Sequence, residues 1–140
     1  MARDKRIGLI GLGAIGQEII AAAGRLGEVD AICAALVRPG RGVAEVPCVH
    51  DLAGLLAASP DVVLECAGHG AVREFGETIL AAGVDLVVSS VGALTDTDLA
   101  RRLLAAEQAG GGRLLIPAGA VAGLDGLVAA SLAGLSAVTY

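Results

Sequence analysis

Tryptophan is absent from this 140-residue chain, tyrosine and phenylalanine occur once each, and only three cysteines and two histidines are present. An aromatic core is therefore excluded, and the 55% of hydrophobic residues must pack as Ala, Val, Leu and Ile. Such a composition suits a parallel sheet buried on both faces, and its mean hydropathy of +0.75 is too apolar for a disordered chain. Cys33, Cys48 and Cys66 are odd in number and lack C-x-x-C spacing, which excludes a disulfide framework or a zinc site. They read as small buried hydrophobes in a reducing compartment. No metal-ligand constellation is visible. Long apolar runs are missing too: Gly, Asp or Arg interrupts each one before the ~20 residues of a membrane span. Met1 to Arg6 is short and charged, and the strand after it breaks at Gly11, unlike a signal peptide. Basic residues are dispersed and the net charge is -5, so no footprint for a nucleic-acid backbone exists. The expectation is a cytoplasmic protein with neither membrane nor nucleic-acid partners.

What is present is an alternation of short β-branched runs with longer Ala/Leu runs, the mark of repeated βαβ units. The predicted fold is α/β, a Rossmann-type doubly wound parallel sheet with helices on both faces. Strands are expected at 6–11, 30–37, 61–66, 85–89 and 113–116. Helices are expected at 14–26, after the cap Asp51 as far as Ser59-Pro60, at 71–82, and from a capping box at Thr95 to Asp98 up to Ala109. Val72, Phe75, Ile79 and Leu80 share one helical face, and Leu99, Leu103 and Leu104 another. Gly27, Gly83 and Gly110 to Gly112 read as stops. Pro117 to Gly123 reads as a glycine-rich turn, 124–135 as a further apolar segment and 137–140 as strand-like. Residues 1–125 are expected to form the cofactor domain and 126–140 the start of a substrate domain.

Gly11-Leu-Gly-Ala-Ile-Gly16 fits G-x-G-x-x-G between a strand and a helix, the context that gives the string meaning. Gly11 suits the tight turn, Gly13 the approach of a pyrophosphate, and Gly16 close helix–sheet packing. Amides at the helix start, Ala14, Ile15 and Gly16, then face phosphate oxygens with the helix dipole behind them. NAD-preferring sites place an acid at the end of the second strand. Here that end reads Ala35-Leu-Val-Arg38, and Asp30 lies at the wrong end. Arg38, with Arg41, suits a 2′-phosphate, so NADP is expected beside NAD; a solvated loop pair is the plainer reading. Ala67 and Gly68 are small enough to pass beside a cofactor. His69 suits either the nicotinamide side of the cleft or an ordinary loop hydrogen bond. Glu65 reads as a loop organiser or helix cap rather than an acid or base, and His50 as a surface residue. Ser89 and Ser90 suit either a ribose or amide contact or local backbone bonding. No G-x-S-x-G occurs, and no catalytic residue is assigned.

Taken together, Gly11 to Gly16, Glu65-Cys-Ala-Gly-His-Gly70, Val87-Val-Ser-Ser-Val-Gly-Ala93 and Pro117-Ala-Gly-Ala-Val-Ala-Gly-Leu-Asp125 resemble, in order, signatures of the L-aspartate dehydrogenase family. The resemblance spans essentially the whole chain. It implies oxidation of L-aspartate to iminoaspartate with reduction of NAD or NADP, a step that can feed NAD biosynthesis, and cofactor contact at Ala120. It also implies that the catalytic histidine and most substrate-binding groups belong to a second domain beyond residue 140. The expected partners are a dinucleotide and a small amino acid, and a homodimer is compatible with this reading. Homoserine dehydrogenase, dihydrodipicolinate reductase and a non-catalytic dinucleotide-sensing module are the competing readings.

Overall fold

The computed structural model describes residues 5–118 together with Ser131, Gly134 and Ala137. Six parallel strands form one sheet: β1 (Ile7–Ile10), β2 (Ile32–Leu36), β3 (Cys48–Val49), β4 (Val62–Glu65), β5 (Asp85–Val88) and β6 (Leu114–Leu115). Their order across the sheet is β3-β2-β1-β4-β5-β6. The chain thus winds outward from β1 to one edge, returns, and continues from β4 to the other. Ile10 pairs with Glu65 across the seam where the winding reverses, and this is where open α/β sheets leave a crevice at their carboxyl ends.

Four helices connect the strands: α1 (Ala14–Leu26), α2 (Leu52–Ala57), α3 (His69–Ala81) and α4 (Thr97–Gly110). Strand residues alternate between two apolar clusters. Ile10, Leu36, Val63, Leu86 and Val88 pack with Leu55 of α2, Val72, Ile79 and Leu80 of α3, and Leu99 and Leu103 of α4. Leu9, Ala35 and Val37 pack instead with Ile20 of α1. Each fully buried Leu or Ile contributes about 1.5–3 kcal/mol, so this aliphatic core substitutes for the missing aromatics. Glycines with left-handed backbone end α1 at Gly27 (φ 73°) and α4 at Gly111 (φ 83°), as the stop signals predict.

Several boundaries differ from expectation. Residues Val29–Ala31 form a 3-10 turn, so β2 starts at Ile32 rather than Asp30. β3 has no counterpart in the sequence reading; two residues give no alternation to detect, and Pro47 precedes them. α3 starts at His69, two residues early. The cap of α4 is Asp96, whose carboxylate accepts from the amides of Asp98 and Leu99, while Thr95 closes a 3-10 turn (Val91–Thr95) and donates its hydroxyl to Gly92. Leu99 and Leu103, four residues apart, fall on the core face. Leu104 is displaced to the flank and is 50% exposed, against expectation. The three thiols are half-buried and unpaired rather than fully buried. The expected turn and apolar segment after Ala118 and the proposed boundary at residue 125 lie outside the described residues, apart from Ser131, Gly134 and Ala137. No helix among the described residues is long and apolar enough to cross a membrane.

Candidate functional site

A cleft of about 860 Å³ opens at the carboxyl ends of β1 and β2 and beside the start of α3. Its floor is the turn from β1 into α1. Gly11 adopts φ +90°, and a Cβ there would stand 2.8 Å from that of Ala67, so only glycine allows the β1 and β4 loops to touch. A Cβ on Gly13 would meet nothing within 4 Å: this position faces open cleft. At Gly16 the same atom would fall 2.3 Å from the Gly11 carbonyl, and its absence lets α1 lie against the turn.

Electrostatics single out the amino end of α1. Gln17 is the first amide of the turn to bond back to Gly13 (3.0 Å), ahead of which stand Ala14, Ile15 and Gly16. The first turn holds no acidic residue, and the cap Gly13 supplies no side-chain acceptor. α2 and α4 carry side-chain caps, whereas α3, like α1, has none and is approached only by the carboxylate of Glu65 ahead of it. Asp51 accepts from Gly54 at α2, Asp96 caps α4, and Glu65 accepts from Ala67 and from Gly68, the cap of α3. Among the described residues, α1 starts with no carboxylate hydrogen-bonded at or just before its cap, and it does so at the cleft. The side chains of Ala14 and Ile15 face a separate apolar strip on the outside of α1, with Ile15 55% exposed, so any part they take in the cleft is through the backbone.

The far wall comes from the loop after β2. Arg38 and Arg41 both line the cleft and are exposed, and no acid follows β2 there. Asp30 sits in the 3-10 turn before β2, at the opposite end of the strand. Ala71, Glu74 and Phe75 of α3, Gln17 of α1 and His50 after β3 also line the cleft, and the sequence pattern gave none of them a part in the site. Phe75 reads from its spacing as a core residue and is in fact half-buried between core and cleft. His50 is exposed, as expected, with its Nδ1 3.1 Å from the Val37 carbonyl.

On the β4–β5 side, Glu65 is 1% exposed and organises two loops. One oxygen accepts from the amides of Ala67 (2.8 Å) and Gly68 (2.7 Å) and from the Ser90 hydroxyl (3.0 Å); the other accepts from the Ser90 amide (3.0 Å). Ser90 therefore directs both its donors at Glu65, and Ser89 donates its hydroxyl to the Glu65 carbonyl. His69, the exposed first residue of α3, lays its imidazole on Gly92: a Cβ there would stand 2.7 Å from Nε2. Gly68, His69 and Ser90 thus form a second group beside the cleft rather than part of its lining. Burial, and then the Glu65 charge, push the Cys66 thiol up, outweighing its interaction with the Ser89 side chain, which leaves it protonated and a poor nucleophile. Ala120 lies outside the described residues. Among those described, no group of three His, Cys, Asp or Glu side chains is placed to hold a metal.

Residues 11–117 match the family model described as homoserine dehydrogenase, NAD binding domain. L-aspartate dehydrogenase 1 of Bordetella pertussis is 45% identical over 136 residues, covering 96% of this chain and 53% of that protein. L-aspartate dehydrogenase of Ruegeria pomeroyi is 40% identical over 140 residues, with 96% and 50% coverage. Among solved structures, aspartate dehydrogenase from Thermotoga maritima superposes with a TM-score of 0.76 at 26% identity, over 91% of this chain and 51% of that one. The chain spans about half the length of the curated relatives it matches.

Proposed function

Since the chain belongs to the family of homoserine dehydrogenase NAD-binding domains, we propose that it is the dinucleotide-holding portion of a nicotinamide-dependent L-aspartate dehydrogenase. The observation that carries this reading is the uncapped positive end of α1, opening on a cleft where Gly13 leaves room for a diphosphate. The similarity of nearly the whole chain to L-aspartate dehydrogenases supports L-aspartate as the substrate.

In this reading the amides of Gly13, Ala14, Ile15 and Gly16 bind the diphosphate, and Gly11 holds the turn in shape. Arg38 lies over the adenosine end, where its guanidinium accommodates either a 2′-hydroxyl or a 2′-phosphate, so NADP serves as well as NAD. Ala67 and Gly68 pass beside the cofactor without side-chain obstruction, His69 and Ser90 border its nicotinamide end, and the family resemblance assigns Ala120 a further cofactor contact. The bound cofactor supplies the hydride acceptor for oxidation of a carbon bearing an amine, and the protein supplies position and field. Residues 1–125 form the cofactor domain and 126–140 lead into the substrate domain, which carries the acid–base and substrate-binding groups.

Titration calorimetry tests the core of this. The chain should bind NAD+ and NADP+, and Arg38→Ala should weaken NADP+ about tenfold while changing NAD+ little, the size of one charge-assisted contact to a phosphate. Absence of binding by either nucleotide overturns the reading. The matching family model favours a second substrate, homoserine. In a protein joining this chain to its substrate domain, L-aspartate should drive nucleotide reduction, and reduction driven by homoserine alone would replace the first substrate with the second.

A further inference from the structure

Glu65 carries more than the loop geometry requires. Its carboxylate is almost fully enclosed, and three of its four hydrogen-bond donors are backbone amides, which can only donate. The fourth donor is the Ser90 hydroxyl. That set of donors suits the acceptor oxygens of a carboxylate. Among the described residues no Lys, Arg or His pairs with it. The charge is held by amide dipoles and the amino end of α3 alone. Burying an anion without a counter-ion is costly, and a neutral side chain could bridge two loops at lower cost.

Its place in the fold gives that charge a target. Glu65 ends β4, on the side of the winding reversal away from Arg38 and the β2 loop. If the adenosine end lies by Arg38, the other end of the dinucleotide lies on the β4–β5 side, beside the loops Glu65 holds. An oxidised nicotinamide ring carries a positive charge, and a reduced one carries none.

We propose that the buried Glu65 carboxylate acts through its field, without contact, to favour the oxidised nicotinamide cofactor over the reduced one, in addition to tying the β4 and β5 loops together. This inference rests on the dinucleotide reading above and deepens it. Water is excluded around the carboxylate, so its field is weakly screened. A poise of this kind suits a site that takes up oxidised cofactor and releases the reduced form.

Calorimetry of the full chain with NAD+, NADH and ADP-ribose, in the wild type and in Glu65→Gln, separates the possibilities. The expected result is that the variant loses NAD+ affinity relative to NADH by on the order of threefold to tenfold, the size of one unit charge acting on another through protein. ADP-ribose, which lacks the nicotinamide, should bind as before. Equal weakening of all three ligands marks Glu65 as a structural tie only and overturns the proposal. An unchanged NAD+/NADH ratio with binding intact overturns it as well, and both results leave the dinucleotide reading standing. Failure of the wild type to bind any of the three removes that reading and this one together. Should Glu65→Gln not fold, the wild-type ratio decides: NAD+ bound at least as tightly as NADH supports the charge effect, and clearly tighter NADH sinks it.

Discussion

At Gly16 a single missing methyl group decides whether α1 can lie against the turn that precedes it. A Cβ there would overlap the Gly11 carbonyl, a backbone atom that cannot swing aside. Gly16→Ala is therefore expected to destabilise the chain by about 1–3 kcal/mol and to abolish nucleotide binding, readable as a lower urea midpoint and a flat calorimetric titration. Gly13→Ala, facing open space, should leave stability nearly unchanged while obstructing the diphosphate. The glycine motif was legible in the sequence because each of its residues has a separate steric reason to be glycine. Ser90 was legible as a small polar residue near the site, but its direction was not. That its donors turn inward to Glu65 depends on two strands meeting that lie 25 positions apart in sequence.

Helix starts are set by side chains that accept from orphan amides, and α2 shows how much one such contact does. Asp51 accepts from Gly54 at 2.7 Å and starts a helix of six residues, too short to persist alone, whose Leu55 is fully buried. Asp51→Ala should cost about 1 kcal/mol, measured by urea denaturation, and Asp51→Asn should recover most of it. The sequence pattern located this cap correctly, since Asp followed by an apolar run is a local signal. It misplaced the cap of α4, where Thr95, Asp96 and Asp98 all have capping chemistry and only the preceding 3-10 turn chooses among them. Leu104 lies about 100° round the helix from the buried Leu103, and α4 turns that flank to solvent. β3 escaped notice for the opposite reason: it is held to the sheet by pairing with β2 and carries almost no pattern of its own.

Across the whole molecule, acid sensitivity follows from carboxylates tied into the fold. Hydrogen bonds from the Arg113 side chain, with its guanidinium 2.5 Å away, hold Asp85 below the usual carboxylate range and tie β5 to the β6 approach. The Leu99 amide lowers Asp96 in the same direction. A depressed folded pKa means that the stabilisation is present above the ordinary carboxylate pKa and is lost as pH falls through the lowered value. Urea stability should thus be level from neutral pH down to about 5 and decline below about 4. Asp85→Asn should lower the plateau and flatten part of that decline; an equally steep decline in the variant would contradict the assignment.

Read as a string, the residues already specified an aliphatic α/β sheet, its strand–helix alternation and the glycine turn, because periodicity, breakers and steric allowance act over a few neighbouring positions. Folding decided what lies far apart in the chain. It set the seam that brings Ile10 beside Glu65, the inward aim of Ser90, the rest of His69 on Gly92, and the opening of the uncapped start of α1 onto the cleft. Those features depend on strand order and on which loops become neighbours, and neither is written in the local pattern.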